Sequence, residues 1–151
     1  MQKPSILYIG SDHAGFKLKE EVKKYLEFLG YTYEDVGAKT FNEKDDYPEF
    51  ARAVAEKVAA DAHAKGILIC GNGVGVCMTA NKIKGVRAGI GYNIGVAKTM
   101  RADDDTNVLC LAGRVLSTEF ARAIVRLWLE TAFSGEERHQ RRLKQVAQLE
   151  K

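Results

Sequence analysis

Cys70 stands between an apolar run, Ile67-Leu68-Ile69, and a glycine-rich stretch, Gly71-Asn72-Gly73-Val74-Gly75. A thiol takes protons or attacks carbon as its thiolate, and backbone amides converging at a helix start favour that form. The apolar run reads as a strand covered on both faces. The glycines release the turn from ordinary backbone limits, and Val76, Ala80 and Ile83, spaced three or four apart, open a helix from Val74 to Ile83. Strand, turn and helix start aim several N–H groups at one point, a site for an anion beside Cys70. The same residues also describe a plain tight turn with an inert core cysteine. The stretch is not a Walker A motif, because the Gly-Lys-Ser/Thr ending is missing.

Three other groups carry chemistry. Gly10-Ser11-Asp12-His13-Ala14-Gly15 follows the first strand, where a dinucleotide fingerprint would lie, with Glu34 and Asp35 near the distance of a ribose contact. The fingerprint needs glycine where Asp12 stands, and a carboxylate there repels a pyrophosphate. Asp12 and His13 suit a polyol better, the acid accepting from hydroxyls and the imidazole donating to a phosphate or oxyanion. His13 as a simple helix-cap residue is the alternative. Arg138 and Arg142 are four apart on a helix and project the same way, a two-pronged phosphate clamp or else a solvated face. Nothing aromatic is interleaved with them, which speaks against nucleic acid. Asp103-Asp104-Asp105-Thr106-Asn107 reads as a turn with local side-chain bonds.

These residues need a frame to bring them together. Strands at Ile6 to Ile9, Thr32 to Val36, Ile67 to Ile69, Val86 to Ile90 and Val108 to Leu111 alternate with helices at Phe16 to Leu29, Tyr47 to His63, Val74 to Ile83, Asn93 to Ala102 and Ser117 to Phe133. Gly30 is a plausible stop for the first helix, and Asn93 and Ser117 are caps. Leu18, Val22, Tyr25, Leu26 and Leu29 share one face of the first helix, and Phe120, Ile124, Leu127 and Trp128 form a stripe on the last core helix. The pattern predicts a doubly wound, Rossmann-like five-stranded parallel sheet with helices on both faces. Ligands then bind at the carboxyl edge, beside the turns after the first strand, Ile69, Ile90 and Leu111. Residues 136–151 form a protruding C-terminal helix whose clear apolar residues, Leu143, Val146 and Leu149, suit packing on a partner subunit.

The chain of 151 residues, 46% hydrophobic, suits one domain over 1–151, and a net charge of +3 makes no general case for nucleic acid. Three cysteines cannot all pair, and Cys70, Cys77 and Cys110 lack disulfide-framework or metal-ligand spacing, so a reducing cytoplasm fits. Cys77 and Cys110 read as core. Met1-Gln2-Lys3-Pro4 leads directly into a strand without a signal h-region, and no run approaches membrane-spanning length.

Taken in order, Gly10 to Gly15, Asp46-Tyr47-Pro48, Gly66 to Gly75, Ala80-Asn81-Lys82, Asp105-Thr106-Asn107-Val108, Gly113-Arg114-Val115 and Arg138-His139-Gln140-Arg141-Arg142 resemble ribose-5-phosphate isomerase type B and its galactose-6-phosphate isomerase relatives. The resemblance implies a homodimer or dimer of dimers, a pocket shared between subunits, and no metal or organic cofactor. It implies Cys70 as the base moving a proton between C2 and C1 of a sugar phosphate, and Gly71, Asn72, Gly73, Val74 and Gly75 as the anion hole for the enediolate. Asp12 and His13 then bind substrate, Tyr47 lines the pocket, Arg114 takes a binding position, and Arg138 and Arg142 hold phosphate. Two positions depart from the family. Asn72 replaces a threonine or serine and keeps a hydrogen-bonding side chain. Asp103-Asp104 replaces the His-Asn pair that opens the furanose ring and binds substrate, and an unperturbed aspartate is a poor acid at neutral pH. The expectation is an aldose-ketose isomerase of ribose 5-phosphate and ribulose 5-phosphate. The alternatives are a tetrose 4-phosphate or hexose 6-phosphate isomerase, or a non-catalytic sugar-phosphate or nucleotide binder. No membrane or nucleic-acid partner is expected.

Overall fold

The computed structural model describes residues 3–150; Met1, Gln2 and Lys151, at the ends of the expected domain, lie outside the described residues. In chain order the elements are β1 (Leu7–Ser11), α1 (His13–Leu29), β2 (Tyr33–Gly37), α2 (Tyr47–Ala59), β3 (Lys65–Cys70), α3 (Val74–Ala80), β4 (Ala88–Ile90), α4 (Ile94–Ala102), β5 (Val108–Ala112), α5 (Thr118–Glu130) and α6 (Glu137–Ala147). The five strands form one parallel sheet in the order β2-β1-β3-β5-β4, as the alternating pattern predicts.

Period-two alternation divides the core between two faces. Leu7 and Ile9, Ile67 and Ile69, and Leu109 and Leu111 point toward α1, α4 and α5, where Leu18, Val22, Leu26, Ile124 and Trp128 meet them. Leu68, Cys70, Val108 and Cys110 point the other way, onto Val54, Val58, Val76 and Ala80 of α2 and α3. Both sheet faces are therefore covered, and each fully buried large aliphatic side chain contributes about 1.5–3 kcal/mol. This alternation puts Cys70 at the carboxyl edge, facing α2 and α3.

Several boundaries shift for local reasons. Asp12 caps α1 by accepting the Gly15 amide at 3.1 Å, so the helix begins at His13 rather than Phe16. Gly30 ends α1 in the left-handed conformation, and Asn93 and Ser117 cap α4 and α5 through their side chains. α2 stops at Ala59 ahead of a turn in which Asp61 accepts the His63 amide at 2.9 Å. α3 ends at Ala80, short of Ile83. α5 ends at Glu130 because Thr131 is extended while its hydroxyl donates to the Leu127 carbonyl at 2.6 Å. Phe120 is exposed; the buried face of α5 runs through Ala121, Ile124, Val125, Trp128 and Leu129. Cys110 is core, whereas Cys77 is only half-buried.

The Asp103 to Asn107 segment is the predicted turn. Asp105 takes a left-handed conformation, φ 44°, and its carboxylate pairs with Arg101 at 2.9 Å and Arg87 at 3.3 Å. Thr106 Oγ1 accepts from the buried Trp128 Nε1 at 2.9 Å, and Asn107 Oδ1 accepts the Arg87 amide at 2.7 Å. Asp105, Thr106 and Asn107 thus tie the turn to α4, to α5 and to the residue that precedes β4. Among the described residues, no helix is long and apolar enough to cross a membrane.

Candidate active site

Three turns at the carboxyl edge of the sheet meet over Cys70. The turn after β5 hydrogen-bonds to the turn after β3, with the Gly113 amide donating to the Cys70 carbonyl at 2.8 Å and the Arg114 amide to the Gly71 carbonyl at 3.0 Å. Arg114 thereby lies across Gly71, where an added Cβ would meet its Nη1 at 3.3 Å. Cys70 is buried, and its Sγ lies 3.8 Å from Asn72 Oδ1. That oxygen also accepts the Val74 amide at 3.0 Å. Asn72 therefore caps α3 from outside, and the Val74 amide is already occupied. Gly73 turns the chain at φ 78°, directly under the Leu111 carbonyl, so it shapes the turn from below.

The turn after β1 brings Asp12 and His13. Asp12 is buried as the cap of α1, with Oδ1 engaged by the Gly15 amide. His13 is held by Asp45, whose Oδ1 accepts both the His13 amide at 2.9 Å and Nδ1 at 2.8 Å. Asp12, His13 and Asp45 each place one donor atom within 4.8 Å of the others, a spacing compatible with a cation. His13 Nδ1 and Asp45 Oδ1, however, are already bonded to each other.

A cavity of about 540 Å³ opens between these turns and α2. Asp12, His13, Tyr47, Cys70, Gly71, Asn72, Val74, Gly75 and Arg114 line it. Nine of the sequence-predicted site residues are thus gathered at one place. Tyr47 enters from the first turn of α2, packed so closely on α3 that a Cβ added at Gly75 would lie 2.5 Å from its ring. Ala14, Met78 and Val115 complete the wall and had no chemical signal in the sequence.

Asp103, Asp104, Arg138 and Arg142 do not line this cavity. Asp103 caps the end of α4 and lies 3.5 Å from His139 Nε2, while His139 is the one buried residue of α6. Burial, and then the neighbouring Asp103, push the Asp104 carboxyl above its ordinary range against the pull of His139. Arg138 pairs with Glu136, and Arg142 is exposed with no ion pair among the described residues. Asp104 instead lines a larger groove of about 990 Å³, whose walls include Tyr92, Met100, Leu143, Val146 and Leu149. That groove has volume and apolar walls, but the Cys70 thiol and the glycine turn lie in the smaller cavity. The turn after Ile90 also belongs to the groove.

Sequence reasoning missed Asp45. It stands next to the noticed Asp46-Tyr47-Pro48, but the loop that folds it onto His13 leaves no periodic trace.

The Ribose/Galactose Isomerase family pattern matches residues 7–146. The chain is 42% identical to a probable ribose-5-phosphate isomerase B of Mycoplasma genitalium, covering 96% of this chain and 95% of the relative. It is 40% identical to the ribose-5-phosphate isomerase B of Escherichia coli, covering 93% of each. The crystal structure of the Mycoplasma genitalium enzyme with bound ribulose-5-phosphate superposes with a TM-score of 0.92 at 41% identity, over 95% of this chain and 94% of that one. With pattern, sequence and fold agreeing over nearly its whole length, the chain belongs to the Ribose/Galactose Isomerase family.

Proposed function

We propose that this chain interconverts ribose 5-phosphate and ribulose 5-phosphate through an enediolate, with Cys70 as the base. The observation that carries the reading is the Cys70 thiol at the floor of a cavity that also holds Asp12, His13, Tyr47 and Arg114. A ribose-5-phosphate isomerase B of the same fold and 41% identity, with ribulose-5-phosphate bound, supports the choice of sugar. In the open-chain aldose, the Cys70 thiolate takes the C2 proton and the electron pair moves onto the C1 carbonyl oxygen. The enediolate forms against the free amides of the glycine turn and the Asn72 side chain. The proton returns from Cys70 to C1 as C2–O2 becomes the carbonyl, and the O2 proton passes to O1. Asp12 accepts from the sugar hydroxyls, and His13 and Arg114 face the phosphate.

Asp103, Asp104, Arg138 and Arg142 enter the reading through a second copy of the chain. They lie away from their own cavity, and Val146 of α6 and Leu149 just beyond it are exposed beside the apolar groove. In a homodimer these residues reach across to the partner cavity, the arginines completing the phosphate site. The aspartates stand where ring opening takes place. A second reading, isomerisation of a tetrose 4-phosphate, is favoured by the same acidic pair, since that sugar forms no ring through its phosphorylated oxygen.

The test is Cys70→Ala. It abolishes exchange of the C2 proton with solvent, a loss of about 100-fold or more, while sugar-phosphate binding persists. Retained turnover removes Cys70 as the base.

A further inference from the structure

Asp45 belongs to the loop between β2 and α2 and does not line the cavity. A turn at Asn42 folds it inward: Asn42 Oδ1 accepts the Lys44 amide at 3.0 Å, and the Asn42 carbonyl accepts the Asp45 amide at 3.1 Å. The Asp45 side chain is only 7% exposed, and its Oδ2 is buried without a hydrogen-bond partner. A buried carboxylate oxygen left unpaired is costly and calls for a reason. The reason lies on the other oxygen, which accepts the main-chain amide and Nδ1 of His13 together.

Phe41 meets the His13 ring edge-on, with centroids 6.3 Å apart. Between Asp45 and Phe41 the imidazole has one orientation. Nδ1 is occupied, so Nε2 is the nitrogen left for a ligand in the cavity. An imidazole anchored in this way recognises a charged, oxygen-rich group better than a freely rotating one, because the orientation is set before binding.

We propose that Asp45 is a positioning residue for the phosphate group of the substrate, acting through His13: by accepting Nδ1–H it fixes the ring so that Nε2 faces the phosphate and shares a proton with it. This rests on the isomerase reading only for the identity of the phosphate ester. The consequence is separable: Asp45 governs phosphate affinity and leaves proton transfer at Cys70 to other groups.

The experiment compares Asp45→Ala and Asp45→Asn with the wild-type chain. Asparagine keeps an Oδ1 that accepts from both His13 N–H groups; alanine keeps nothing. Asp45→Ala raises KM for ribose 5-phosphate and the inhibition constant of inorganic phosphate by about tenfold each, with kcat within about threefold. Asp45→Asn recovers most of both. With inorganic phosphate bound, the ¹⁵N resonances of the His13 ring report a protonated, hydrogen-bonded Nδ1 in the wild type and Asp45→Asn, and loss of that hydrogen bond in Asp45→Ala. An unchanged KM in Asp45→Ala, a fall in kcat at unchanged KM, or an Asp45→Asn variant as impaired as Asp45→Ala overturns the inference. Asp45-dependent binding of inorganic phosphate in a wild-type chain that isomerises nothing removes the isomerase reading and upholds this one.

Discussion

Replacing Gly75 by alanine tests whether Tyr47 forms part of the working cavity. Gly75 is the second residue of α3, and an added Cβ would lie 2.5 Å from Cε1 and Cζ of Tyr47. Ordinary contact begins at 3.4 Å, so the ring must retreat by about 1 Å. The obstacle is the far end of a side chain rather than backbone, which keeps the overpacking cost near about 1 kcal/mol, the low end for such changes. Alanine also gains up to about 1 kcal/mol over glycine in a helix, so the two effects nearly cancel. The melting midpoint then moves by no more than about 4 °C. Activity responds differently, because the ring that moves lines the cavity. A displacement of about 1 Å in a positioning group lowers kcat/KM by about 100-fold. The control is Gly95→Ala in α4, where the nearest atom to the new Cβ is Asn93 Oδ1 at 3.5 Å. It gains the helix preference without a clash, stabilises by up to about 1 kcal/mol, and leaves turnover alone. The assay is ketose formation from ribose 5-phosphate beside a thermal melt of each variant. Wild-type kcat/KM in Gly75→Ala, or a melting loss beyond about 10 °C, refutes the argument that the tyrosine ring yields and the cavity suffers.

Two further outcomes follow from charged groups. Asp103→His supplies an imidazole where ring opening is proposed and raises kcat on ribose 5-phosphate by about tenfold; an unchanged kcat in steady-state assays places ring opening outside the slow step. Burial pushes the Asp35 carboxyl up, but hydrogen bonds from Lys19 and Lys23, the Lys19 charge and the Gly37 amide outweigh it and hold the group below its ordinary 3.8. The unfolded chain therefore binds the Asp35 proton first, so this stabilisation is complete above pH 3.8 and is lost as pH falls through the lower folded value. Asp35→Asn leaves the fully buried Lys19 without its anion and costs about 3 kcal/mol at pH 7. Urea denaturation should show that gap closing in acid, and a gap independent of pH contradicts the pairing.

The parts of the fold legible in the sequence are those written in local spacing. Ile67-Leu68-Ile69 alternates between two cores because both sheet faces are covered, and Gly30, Asn93 and Ser117 carry their own boundary chemistry. Asp12 reads as a ligand group in the sequence, and its further role as the cap of α1 is not legible there, since only the Gly15 amide in the folded chain shows it. Phe120 joined the apolar stripe by helical spacing, but its neighbours Ala121 and Val125 face the core instead. Asp45 and His139 are long-range features. One is folded onto a residue 32 positions away, and the other is buried against the end of α4. No period in the sequence encodes either approach.

The cavity of one chain is short of positive charge for the proposed substrate. Asp12 lines the cavity and Asp45 stands behind His13, while His13 and Arg114 are the basic groups on the lining. A phosphate monoester adds about two negative charges at neutral pH, so two basic side chains must face two carboxylates and a dianion. The cations that would restore balance stand on α6. Arg138 and Arg141 pair with Glu136 and Glu137 at the start of that helix, whereas Arg142 and Lys144 make no ion pair among the described residues. The helix buries only His139 in its own chain and exposes Val146, with Leu149 exposed just beyond it, which gives it little apolar reason to hold its position alone. In the proposed homodimer one contact meets both needs, covering the apolar face of α6 and carrying Arg142 to the phosphate. Subunit association and phosphate affinity then have a common cause, and a chain that loses the first loses the second.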